Sequence, residues 1–104
     1  MNSKFFNALG LCKRAGKCLI GDFACEKAVK GKKAFLLVMD AQASEATKNR
    51  YEGFCSRAGL PLVTAADIGR AVGRPESRIV AVMEPRFAEM IQKAWNEEHS
   101  IQGE

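Results

Sequence analysis

The sequence predicts an α/β fold: a largely parallel or mixed four-stranded sheet between helices, with the element order α-β-α-β-α-β-α-β-α. Three observations carry this. Apolar residues recur at i, i+3, i+4, i+7 in several segments, the stripe of an amphipathic helix. Between these segments lie apolar runs too short for helices, which read as strands covered on both faces. The two patterns alternate along the whole chain, which places the strands in one sheet with the helices as crossovers.

The first helix carries the stripe Phe5, Ala8, Leu9, Cys12, with Asn2 or Ser3 at its start. Lys13 and Arg14 fall in its last turn, where cations suit the helix dipole, and Gly16 takes the left-handed position that ends it. Cys18-Leu19-Ile20 is the first strand. Gly21-Asp22 opens the second helix, with Asp22 as its cap and Cys25, Ala28 and Val29 as its inner side. Gly31 stops that helix, and Ala34 to Met39 is the second strand.

Asp40 follows as a turn or helix-initiating residue. Ser44 caps a third helix with the stripe Tyr51, Phe54, Cys55, Ala58, ended by Gly59. Pro61-Leu62-Val63 is a short strand. Thr64-Ala65-Ala66-Asp67 fits a capping box for a fourth helix whose inner face is Ile68, Ala71 and Val72. Ile79 to Met83 is the fourth strand. Phe87, Met90, Ile91 and Ala94, with Trp95 beside them, define the last helix. Residues 1–98 form one domain on this reading and 99–104 a loose tail.

The composition agrees with one soluble domain: 104 residues, 47% hydrophobic and 27% charged. No apolar run is long enough to span a bilayer, and the N-terminus runs directly into a helical pattern without a signal-peptide core. The expected location is therefore cytoplasmic. Cys12, Cys18, Cys25 and Cys55 form no C-x-x-C pair, and the only histidine is His99, so neither a zinc site nor a disulfide framework is indicated. The thiols read as small buried hydrophobes, and no cofactor is expected.

The phosphate-binding and dinucleotide-binding glycine patterns are absent, as are a nucleophile elbow and a histidine-based catalytic pair. Asp40, at the end of an apolar strand, sits where an aspartyl phosphoacceptor would. A divalent cation there needs companion carboxylates, and only Asp22 is near an equivalent strand end. No enzyme is expected.

The net charge is +4, unevenly spread. Residues 1–33 hold eight Lys and Arg against two Asp and Glu, whereas residues 84–104 hold two against five. Such polarity points to a polyanionic partner for the basic part. A glycine between a strand and a helix exposes backbone N–H groups to an anion. Gly21-Asp22-Phe23 is such a place, with Lys17 on its strand side and Lys27 and Lys30 one and two turns into the helix. If strands one and four are neighbours, Arg70, Arg74 and Arg78 join them on one positive edge suited to RNA phosphates. Phe23 either stacks on a base or packs into the core under the second helix.

The segment "LGLCKRAGKCLIGDFACEKAVKGKKAFLLVMDAQAS", followed later by "IGRAVGRPESRIVAVMEPRFA", resembles the L-seven-Ae/L-thirty-e ribosomal protein family, more closely its bacterial YlxQ-type branch. The resemblance spans nearly all of residues 5–90. It implies a three-layer α/β/α sandwich and binding to kink-turn or ribosomal RNA in ribonucleoprotein particles, with the ribosome as a partner and neither a membrane nor a small-molecule substrate. Members that bind kink-turns carry G-x-N-E-x-x-K at the second helix, where the Asn and Glu read sheared G·A pairs. Gly21 and Lys27 match this pattern; Phe23 and Ala24 stand at the Asn and Glu positions, and Ile20 at a position often basic.

The family's hydrophobic loop maps near Val63 and Thr64. The resemblance thus implies RNA contacts from Lys17, Gly21, Asp22, Phe23, Lys27, Lys30, Val63, Thr64 and Arg78. Two missing base-edge contacts, worth about 1–3 kcal/mol each, relax kink-turn selectivity. The competing expectation is a protein-interaction module on the same fold that has lost its RNA face, with the acidic last helix as its surface and Trp95 either part of that surface or packed in the core.

Overall fold

The computed structural model describes residues 3–99. Along the chain run α1 (Lys4–Arg14), β1 (Cys18–Ile20), α2 (Asp22–Lys30), β2 (Leu36–Asp40), α3 (Glu45–Ala58), β3 (Leu62–Ala65), α4 (Ile68–Ala71), β4 (Ile79–Val82) and α5 (Pro85–His99). The strands form one sheet in the order β1-β4-β2-β3. β4 is antiparallel to both β1 and β2, while β2 and β3 are parallel, so the sheet is mixed, one of the two arrangements expected.

The alternation of side chains along the strands builds the three layers. Leu36, Val38, Val80 and Val82 face one way, into a core closed by Phe5, Leu9, Ile68 and Ile91 of α1, α4 and α5. Leu37, Met39, Ile79 and Ala81 face the other way, against Cys25, Val29, Tyr51 and Cys55 of α2 and α3. Every residue of β2 is buried. Each large apolar side chain so buried contributes about 1.5–3 kcal/mol relative to exposure, which is why this run is apolar on both faces rather than alternating.

Local signals set most boundaries. The Ser3 hydroxyl accepts the Phe6 N–H at 2.9 Å, capping α1. At its other end Gly16, at φ +72°, and Lys17 donate to the carbonyls of Lys13 and Cys12, closing the helix as a Schellman motif. The Ser44 hydroxyl caps α3 through the Thr47 N–H at 3.1 Å.

Three expectations need correction. Asp22 is the first residue of α2 and not its cap; Gly21 holds that place without a side-chain bond. Thr64 is not the start of a capping box, because parallel pairing with Met39 holds it in β3. The cap of the short α4 comes instead from across the sheet: buried Asp40 accepts the Ile68 N–H at 3.2 Å through one oxygen and the Gln42 N–H at 2.7 Å through the other. α5 includes His99, whose ring stacks on Trp95 with centroids 4.1 Å apart, so the helix runs one residue past the expected domain end. Asn2 and the rest of the expected tail lie outside the described residues.

No helix among the described residues is long and apolar enough to cross a membrane. Nor do any three His, Cys, Asp or Glu side chains among them cluster as a metal site would require.

Candidate functional site

Because β4 runs against its neighbours, the C-terminal ends of β1, β2 and β3 meet the N-terminal end of β4 at one end of the sheet. Ligands of α/β sheets gather at such strand ends. Two bonds pin the start of β4 there. The Gly21 N–H donates to the Ile79 carbonyl at 3.2 Å, and the Asp40 N–H donates to the Arg78 carbonyl at 2.8 Å. The loop entering β4 is thereby fixed beside the turn that leaves β1.

Gly21 makes that turn at φ +105° and ψ 155°, a region open almost only to glycine. The loop 74–77 needs a second glycine. A Cβ on Gly69 would stand 2.2 Å from the Arg74 carbonyl oxygen, so only glycine lets the loop fold back on α4. The Arg74 N–H then donates to the Gly69 carbonyl at 2.7 Å.

The result is a groove of about 330 Å³ whose lining includes Ile20, Gly21, Thr47, Ser77 and two arginines, Arg74 and Arg78, together with the two acids Asp22 and Glu76. Arg74 and Arg78 are exposed. Phe23, the second residue of α2, stands beside the groove with 82% of its surface exposed. Of the two places open to it, core or surface, the ring takes the surface. Lys27, one turn further, borders the same aromatic surface.

α2 is held in this position by α3. Arg50 donates to Asp22 Oδ2 at 2.7 Å and to Glu26 Oε1 at 2.9 Å, and the buried Tyr51 hydroxyl bonds the other Asp22 oxygen. The Arg50 guanidinium, then the Tyr51 hydroxyl, hold the Asp22 carboxyl below the usual carboxylate range. Lys30, in turn, reaches Glu26 at 2.8 Å and lies over the Phe54 ring at 5.2 Å.

The residues named from the sequence therefore divide. Gly21, Asp22 and Arg78 line one groove at this sheet end, although Asp22 is committed to the α2–α3 clamp, while Phe23 and Lys27 line a separate surface of α2. Lys30 is on the same helix but ion-paired. Lys17 is displaced. It precedes β1, and its carbonyl accepts the Met83 N–H at 2.8 Å at the opposite end of the sheet. Three extended residues lie between it and Gly21, a span of four steps or about 13 Å. Val63 is only 4% exposed and belongs to the core. Thr64 is half-buried in β3, and its carbonyl takes the Trp95 indole N–H at 2.9 Å. That bond and the packing against the core give Trp95 the inner of the two places open to it.

Arg74, expected as one of three arginines on a positive edge, becomes a full lining residue, whereas Arg70 does not line the groove. Arg50, Thr47 and Ser77 were not foreseeable. Arg50 lies 28 positions from the acid it holds, with no periodic link to it.

No family model matches the chain, and no curated protein matches it. Solved structures do. A Bacillus halodurans C protein of unknown function aligns with TM-score 0.84 and 26% identity, over 89% of this chain and 97% of that one. The 15.5kD RNA binding protein of Giardia lamblia aligns with TM-score 0.73 and 16% identity, over 93% of this chain and 89% of that one. The chain thus has an α/β sandwich fold shared with both proteins.

Proposed function

We propose that this chain is a non-enzymatic RNA-binding protein that holds structured RNA at the sheet end formed by Gly21, Phe23, Lys27, Arg74 and Arg78. The observation that carries the reading is Phe23. A phenylalanine left 82% exposed, one residue after the groove-lining Asp22 and on a surface shared with Lys27, has no packing role. Aromatic faces stack on unpaired bases, and guanidinium groups pair with phosphates. The likeness of the fold to an RNA binding protein from Giardia supports the same conclusion.

The reading extends to a cytoplasmic ribonucleoprotein setting, with the ribosome as the first partner to test and kink-turn RNA as the first ligand. Neutral Phe23 and Ala24 supply no hydrogen bonds to G·A pairs, so selectivity for a kink-turn over a plain duplex is expected to be slight. The groove offers phosphates a sequence-independent hold instead.

A titration decides this. The protein is run against a kink-turn RNA and against a duplex of equal length lacking the bulge, each at two salt concentrations. Salt-sensitive binding to both, weakened by Arg74→Gln/Arg78→Gln, is the expected result. No binding to either at low salt would overturn the reading in favour of a protein partner.

A further inference from the structure

The other end of the sheet is the more strongly charged one. Its row is marked by Lys17, Met83, Phe35 and Pro61: Met83 donates to the Lys17 carbonyl, Phe35 to the Val82 carbonyl, and Leu37 to the Pro61 carbonyl, at 2.8, 2.8 and 3.0 Å. α1, α2 and α3 all terminate here, since each leads into the start of a strand of this row. They bring Lys13, Arg14, Lys32, Lys33 and Arg57 to the end where Lys17 lies. All six cations are exposed, and among the described residues none of them joins an ion pair. The turns 13–17, 31–35 and 57–61 contain no Asp or Glu. Glu84, the neighbouring acid, is engaged in accepting the Phe87 N–H at 2.9 Å.

Helix dipoles explain part of this. Lys13, Arg14 and Arg57 sit in last turns, where a cation is favoured. Lys17, Lys32 and Lys33 lie beyond the helices and gain little from a dipole that fades within a turn. Lys32 moreover holds φ +58°, a left-handed position at which glycine is the unstrained choice. Beside it Phe35 is 47% exposed. This end therefore repeats the pattern of the first: an exposed phenylalanine among unpaired cations.

We infer that this end is a second RNA-binding face, so that one copy of the chain holds two RNA segments, one at each end of its sheet. The inference rests on the RNA reading of the first site for the identity of the polyanion, but not for its own location. The four strands set the width of the face at about 14 Å, enough for several phosphates of one strand to meet Lys17, Lys32 and Lys33 together.

The test uses the full chain and two variants, Lys17→Gln/Lys32→Gln/Lys33→Gln and Arg74→Gln/Arg78→Gln, each checked for an unchanged thermal melt. Bead-bound kink-turn RNA is saturated with protein and washed, and a labelled duplex RNA is added. Wild-type protein is expected to retain the duplex, and the triple variant to lose it while remaining on the beads. In direct titrations with duplex RNA, the triple variant is expected to flatten the log affinity against log salt slope by about 2–3, near 0.9 for each phosphate no longer neutralised. Unchanged duplex retention and slope in the triple variant would overturn the second face and leave the first intact. Loss in the triple variant with no effect of the arginine pair would instead retain this face and reject the first. Wild-type protein that binds neither RNA would reject both.

Discussion

The guanidinium of Arg50 on α3 and the carboxylate of Asp22 at the start of α2 meet at 2.7 Å. This contact joins the helix that carries Phe23 and Lys27 to the body of the protein. It sets the direction in which the α2 turn presents them.

Arg50→Ala removes the contact. Both side chains are partly exposed, so the expected loss is about 1 kcal/mol, the upper range for such pairs. The loss is pH-dependent. A carboxyl lowered in the folded state stabilises above its unfolded pKa of about 3.9, and that contribution vanishes as pH falls through the lower folded value. Thermal melts of wild type and variant should differ fully near neutrality and converge in acid. A gap that stays constant to the lowest pH would show that Asp22 is not the partner concerned.

Phe23→Ala should separate binding from stability. The ring buries little, so Tm is expected to stay put, while RNA affinity falls by about 1–3 kcal/mol, the range for stacking of one base on an aromatic side chain. A lowered Tm with unchanged RNA affinity would assign the ring to packing instead.

Asp40→Ala should act the opposite way. It strips the buried Ile68 N–H and the partly buried Gln42 N–H of their carboxylate acceptor. The expected cost is about 3 kcal/mol, read from denaturant midpoints at constant m-value. Asn, which keeps one acceptor oxygen, should fall between.

Two glycines should respond for different reasons. Gly69→Ala collides with the Arg74 carbonyl and is expected to cost about 3 kcal/mol or to displace the arginine loop, weakening RNA binding beyond the loss of stability. Gly21→Ala meets no atom within 4 Å but must hold φ +105°, a strain of about 1–3 kcal/mol. Equal, small effects at both positions would contradict this geometry.

The thiols offer a check on packing. Burial pushes Cys25 up to about 12 and Cys55 up to about 11. Cys18 is lowered by its hydrogen bond to Cys12 and then by Lys13, against the effect of its own partial burial. Limiting alkylation of the native protein, followed by peptide mass spectrometry, should modify Cys18 first and leave Cys25 and Cys55 protected. Early modification of Cys25 would mean that α2 opens from the sheet.

The sequence by itself determined the elements. Helix stripes, hydroxyl caps, left-handed glycines and an apolar central run act over a few residues, so the order of elements and the cap at Ser44 were readable from neighbours alone, while the choice of Ser3 over Asn2 and of a mixed over a largely parallel sheet was left open. It also marked Gly21 and Lys27 as candidates, because a glycine turn and a cation one turn into the following helix are local features.

The tertiary structure alone decided which residues share an end of the sheet. Three extended residues carried Lys17 away from Gly21, strand pairing drew Val63 and Thr64 into the fold, and the antiparallel entry of β4 brought Arg74 and Arg78 beside a turn more than fifty positions earlier. The same held for Asp40 as the cap of α4, for Arg50 as the partner of Asp22, and for Phe23, whose hydrophobicity favoured burial. The reason is common to all: strand order and helix docking are settled by the closure of two cores across one sheet. That closure depends on contacts remote in the chain, which no local spacing encodes.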